Sequence, residues 1–195
     1  AVLQRGQRGD LADTVDAEMV ADLVEGGNDA GLADRIADAG AGQAVCLGNL
    51  GIIYQDQGAW STALEYFQRA QSIAQSVDDL AGEALHTSQM AAVHRQQGNW
   101  NQANTLLDDA LRLYRQQGDI KGEADCLGDQ ATLFHLTGDL SVALDLNKQA
   151  LKLYQQMGHR LGEASTMGNI GLIQQDKGNL GEAESTFLAA LALEE

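Results

Sequence analysis

The feature that most constrains this chain is a step of 40 residues. It carries Gly58 onto Gly98, Gly138 and Gly178, Ala63 onto Ala103, Ala143 and Ala183, and Ala70 onto Ala110, Ala150 and Ala190. A third register repeats Gly42-Gln43-Ala44 as Gly82-Glu83-Ala84, Gly122-Glu123-Ala124 and Gly162-Glu163-Ala164. A period of this size means that each unit is one supersecondary element, which cannot bury its apolar face alone and must stack on its neighbours. Apolar residues make up 44% of the chain and proline is absent, so helices can run on without ring clashes.

In the first clear unit, Leu47, Leu50 and Tyr54 form one stripe of an A helix at i, i+3 and i+7. Gly51 stands where another helix must come close, and Gly58 ends the helix in the left-handed conformation. A B helix then runs from Trp60, with Ala63, Tyr66, Phe67, Ala70 and Ile73 on its inner face. The second unit puts His94 at the place of Tyr54, where it reads as an inter-helix residue. The third places Gln130 and Asn147 where the pattern wants apolar side chains. A buried polar group without a partner costs about 1–3 kcal/mol, so these two are expected to bond each other or to leave this unit the softest. In the fourth unit Asn179 and Glu182 have the spacing of a capping box.

Residues 1–41 do not keep the period. Leu11, Val15, Met19 and Leu23 mark a helical stripe, with Val20 and Val24 beside it, and Gly26-Gly27-Asn28-Asp29 ends it. A short helix over 32–39 and a stretched link to Gly42 follow. The expected organisation is a degenerate, acidic, helical unit with an insertion over 1–41, then units over 42–81, 82–121, 122–161 and 162–195, the last cut short in its B helix. The chain is expected to be a piece of a longer protein, with apolar end faces through which copies could associate.

The residues of the first unit carry a family resemblance. Leu50, Gly51, Tyr54, Ala63 and Phe67 fall in step with the tetratricopeptide pattern, and Leu47 stands for its tryptophan. The unit is longer than the usual 34 residues, and the usual proline is missing. This long form, opened by Gly-Glu-Ala, resembles the repeats of kinesin light chain, of Pins-type G-protein signalling modulators and of bacterial regulators. The resemblance covers 41–195. It implies an all-α fold, a right-handed α-α superhelix of antiparallel helix pairs, and a protein that holds other proteins.

With 12 basic against 28 acidic residues, the formal charge is -16. That balance argues against binding nucleic acid through its phosphates and against an anionic membrane surface. It favours a neutral or basic protein or peptide partner. No run is long and apolar enough to span a bilayer. Cys46 and Cys126 hold the same place two units apart, beyond disulfide reach, and are expected to be buried, reduced thiols in a cytoplasmic setting.

No nucleophile elbow, phosphate loop, HExxH or CxxC is present. His86, His94, His135 and His159 lack metal spacing, and Glu83, Glu123 and Glu163 read as carboxylates at helix starts. The expectation is a non-enzyme without cofactor or metal. The informative surface is the outer face of the A helices. Asn49 lies about 200° around from Leu47, and Ile52 and Asp56 extend its row. The matching rows are Gln89, Ala92 and Gln96, then Asp129, Thr132 and Leu136, then Asn169, Leu172 and Asp176. Gln55, Arg95, His135 and Gln175 border them. By resemblance these rows line a concave groove, in which register-matched amides and carboxylates could hold an extended peptide. Small residues at Gly48, Ser88, Gly128 and Gly168 leave room along one edge. Relatives that clamp a C-terminal carboxylate use Lys, Arg and Asn here. Asp56, Asp129 and Asp176 oppose such a ligand, and Arg95 is the one dependable cation. The alternative is the sensor or scaffold arm of a larger bacterial regulator.

Overall fold

The computed structural model describes residues 29–194 and the side chains of 39–193. Within it the chain turns once every 20 residues. Gly58, Gly98, Gly118, Gly138, Gly158 and Gly178 take φ between 64° and 87°, and Asp78 holds the same place with φ 56°. At Gly58 the turn is closed by two bonds: the Gly58 N–H donates to Gln55 O and the Ala59 N–H to Tyr54 O, both at 2.9 Å. The same offsets recur at every other turn, satisfying carbonyls that a helix end leaves open. The next residue starts the following helix. Asp79, Asp119 and His159 accept from the N–H of Gly82, Gly122 and Gly162 at 2.9–3.0 Å, and Asp139 from Val142 at 3.3 Å.

These turns separate the helices α1 (Asp29–Asp56), α2 (Trp60–Ser76), α3 (Leu80–Gln96), α4 (Trp100–Gln117), α5 (Ile120–Thr137), α6 (Leu140–Met157), α7 (Arg160–Asp176) and α8 (Leu180–Glu194). Odd-numbered helices are the A helices and even-numbered ones the B helices. The expected short helix over 32–39 and its link to Gly42 are instead one continuous helix with the first A helix. Gly40 costs helix propensity, but a side chain there would meet Val77 Cγ1 at 2.7 Å, so packing on the end of α2 holds the segment helical. The expected stripe over 11–24 lies outside the described residues.

Within a unit, A and B helices pack through complementary volumes. A Cβ on Gly51 would lie 2.5 Å from the Phe67 ring, and one on Gly171 2.6 Å from the Phe187 ring. One step along, the same two places hold Ala91 with Leu107 and Ala131 with Asn147. Ala63, Ala70, Ala103, Ala110, Ala143 and Ala150 are fully buried at the crossings, as small residues at close helix contacts must be.

Between units, His86, Cys126 and Thr166 and, two turns on, Val93, Leu133 and Ile173 are buried. Their first-unit counterparts are not: Cys46 is exposed and Ile53 is 51% exposed, because no described helix lies beyond α1. The same cause corrects two expectations. Cys46 is not a buried thiol, although Cys126 is, and Leu50, at 39% exposure, is not packed as Met90 is against Phe67 and Ala63 of the preceding unit. Both cysteines are free.

Gln130 and Asn147 do not bond each other. Gln130 Nε2 donates to Asp108 Oδ1 at 2.6 Å on the preceding B helix. Asn147 Nδ2 donates to Ala143 O at 3.1 Å, and its Oδ1 is buried without a partner. Glu182, expected to reach back to Asn179, instead accepts from Gln174 Nε2 at 3.4 Å.

Candidate peptide-binding groove

Successive A helices touch one another, α1 with α3, α3 with α5 and α5 with α7, whereas successive B helices do not. The side on which neighbours lie closer is the inside of the curve, so the A helices line the concave face. The predicted rows lie on it and are accessible. Asn49, Ile52, Asp56, Gln96, Leu172, Gln175 and Asp176 are exposed, and Gln55, Gln89, Arg95, Asp129, His135 and Asn169 are half-buried.

A pocket of about 560 Å³ opens on this face across α3, α5 and α7. Of the predicted site residues it gathers Asp129 and Asn169, with Thr132 and Gly128 between them; the others lie along the groove outside it. Reading the sequence missed the turn before each row, where Leu85, Asp125 and Ser165 sit 40 residues apart, and it missed Tyr114, Tyr154, His159 and Leu161. The 40-residue step could have found the first set, and it also relates the two tyrosines. The Gly-Glu-Ala register explains their placement. A Cβ on Gly122 would lie 2.3 Å from the Tyr114 ring and one on Gly162 2.4 Å from the Tyr154 ring. Glycine at the start of α5 and α7 thus admits the tyrosine of the preceding B helix, whereas at Gly82 the same place on α2 holds Ala74.

Tyr154 donates to Asp125, and the Tyr114 ring also lines the wall. Burial pushes the Tyr114 hydroxyl up to about 12 and raises Tyr154 further, with Asp125 adding to the latter. The buried Cys126 thiol is likewise pushed up to about 12 by burial and then by nearby aspartates, so it remains a thiol.

Several predicted groups are already engaged across neighbouring A helices. Arg95 Nη2 lies 3.6 Å from Asp129 Oδ1, and His135 Nε2 lies 2.6 Å from Asp176 Oδ2. Within α3 itself, Gln89 Oε1 lies 2.9 Å from His86 Nδ1. Arg95 is therefore neutralised in place. Burial raises Asp129 above the usual carboxylate value against the opposing pull of Arg95, and Asp125 adds to the rise; its side chain keeps 42% exposure, which limits the effect. The small edge is also uneven. A Cβ on Gly48 would meet the His86 ring at 2.5 Å, whereas Gly128 and Gly168 face open space. The room lies at α5 and α7, beside the pocket. Among the described residues no cluster of three or more His, Cys, Asp or Glu could hold a metal ion, and no helix is long and apolar enough to cross a membrane.

A chain of helix pairs with this register and an A-helix groove belongs to the tetratricopeptide repeat family. Family models described as tetratricopeptide repeat match residues 43–77, 81–156 and 164–195. This is the architecture of a protein-interaction scaffold, a class that is typically non-enzymatic. The fold is similar to the crystal structure of BtubC (BKLC) from P. vanneervenii, at 17% identity and TM-score 0.70, covering 77% of this chain and 63% of that one. It is also similar to the crystal structure of MamA, at 18% identity and TM-score 0.59, covering 84% of this chain and 85% of that one. These likenesses show a right-handed all-α superhelix and nothing finer. The chain spans under two thirds of the length of BtubC. No curated protein sequence matches it.

Proposed function

We propose that this chain is a non-catalytic module that holds a segment of a partner protein, extended or helical and neutral to basic, along the A-helix groove. The observation that carries this reading is the pocket itself. It spans three units on the concave face, its floor is open at Gly128, and the side-chain amide of Asn169, which lines it, is free of hydrogen bonds among the described residues. A charge of -16 favours basic segments and disfavours nucleic acid and anionic membranes. The reading needs neither cofactor nor metal and suits the cytoplasm. The same groove suits the sensor or scaffold arm of a larger bacterial regulator, which the full reading frame would decide. The test is capture from the source organism's lysate beside a variant with Asn49, Gln89, Asp129 and Asn169 changed to Ala. Proteins retained only by the unmutated chain support the groove; identical retention by both forms sinks it.

A second reading, self-association through an end face, rests on α8. Leu188 and Leu191 are each 60% exposed. Leu188 stands where the other B helices carry Gln68, Asp108 and Lys148, so α8 is apolar on its outward side as well as on the side a further unit would cover. Light scattering across a concentration series tests it, and a monomeric mass throughout removes it.

A further inference from the structure

We propose that the pocket between α3, α5 and α7 takes an arginine or lysine side chain of the bound segment, with Asp129 as its ion partner. This rests on the groove reading above and adds the chemistry of one subsite to it.

The pocket wall separates committed from uncommitted groups. Both oxygens of Asp125 are taken, one by the Tyr154 hydroxyl and the other by Lys121 Nζ at 2.7 Å. The Ser88 hydroxyl donates to Leu85 O at 2.8 Å. Asp129 has only Arg95, whose Nη2 at 3.6 Å lies beyond hydrogen-bond distance, and it accepts no hydrogen bond among the described residues. A carboxylate in this state has spare acceptor capacity, and a charge-assisted bond to it is stronger than a neutral one. Thr132 adds a second acceptor: its hydroxyl proton goes to Gly128 O at 3.0 Å, which leaves its lone pairs for an incoming N–H. The wall therefore sets an uncommitted carboxylate beside a hydroxyl acceptor, and the negative charge of Asp129 favours a donor-rich cation over a carboxylate.

The rest of the site fits the stem of such a side chain. Leu85 on α3 and Leu161 on α7 line the pocket and are exposed, apolar surface suited to the methylenes of Arg or Lys. Gly128 leaves open space where a side chain would block entry. Asn169, beside them, has a free amide able to pair with the segment's backbone. Arg95 is then a competitor for Asp129, not part of the site.

The competition gives opposite signs to two substitutions, which a merely structural role for the pair would not. The probe is a display library of random heptapeptides whose central residue is fixed as Arg, Lys, Gln or Glu, panned on the intact chain at low and high salt. We expect enrichment with central Arg or Lys, weakened by salt. For the selected peptide, Asp129→Asn should lose about tenfold or more in affinity, while Arg95→Gln should bind as tightly or tighter, both variants keeping wild-type helicity. Binding peptides with a central Gln or Glu, or unchanged affinity in Asp129→Asn, would overturn this inference while leaving the groove reading standing. If no library peptide binds the groove in any form, both fail.

Discussion

The packing of α1 on α2 can be tested by exchanging volume between two residues. A Cβ added at Gly51 would lie 2.5, 2.6 and 2.9 Å from three atoms of the Phe67 ring, so the ring would have to retreat by roughly 1 Å to reach ordinary contact. It cannot do so freely. Phe67 is fully buried and packs with Ala63, Met90 and Val93. Gly51→Ala should therefore incur an overpacking cost of about 1–3 kcal/mol, reduced by about 0.8–1 kcal/mol of helix propensity. Phe67→Leu alone should cost about 1–2 kcal/mol as a cavity. Together they recreate the pair Ala91 and Leu107 of the next unit, and the double variant should be more stable than the sum of the singles by about 2 kcal/mol. Because solenoid units unfold partly independently, the assay is urea unfolding with native-state hydrogen exchange of the α1 and α2 amides. Single effects that add to within about 0.5 kcal/mol would refute the complementarity argument.

Other consequences follow from the same contacts. Asp78→Gly removes what is, among the described residues, the one side chain at a left-handed turn where six glycines otherwise stand, and should stabilise by about 1 kcal/mol, read as a rise in melting temperature. Asn147→Leu replaces a buried, half-satisfied amide by the residue its register holds as Leu107; it should gain about 1 kcal/mol or more in urea midpoint, and a loss would show that the amide is satisfied. Asp129 is raised in the folded state, chiefly by burial, so its contribution is present below its unfolded pKa and is lost as pH rises through the folded one. Asp129→Asn should accordingly be more stable than wild type at neutral pH, with the difference closing near pH 3, checked by thermal melts across that window.

How far the sequence reached depended on which contacts each residue makes. Gly51, Ala63, Ala70 and Phe67 act within one unit, and their spacing alone placed them correctly. Leu50 and Cys46 depend on a neighbouring unit, and the pattern of later units misled because nothing described lies beyond α1 to cover them. The half-period of 20 was hidden by Asp78, which breaks the row of glycines while keeping their conformation. Gly40 and Gly42 read as a break in the first helix because local propensity says nothing of Val77 waiting just past the end of α2. For the groove, two periods of geometry sufficed to put thirteen residues on one accessible face. The engagement of Arg95 with Asp129 and of His135 with Asp176 was not legible, since it joins residues 34 and 41 apart on different helices. Nor were the tyrosine walls, which come from the B helices and reach the groove only because glycine opens the next A helix.

The most direct test of the central claim is site-specific photo-cross-linking to a partner captured from lysate. A benzophenone side chain is placed either at Thr132, inside the groove pocket, or at Thr105, exposed on the B helix α4. The account predicts a partner adduct from position 132 and none from position 105. Adducts from 105 alone would place binding on the convex side and contradict it.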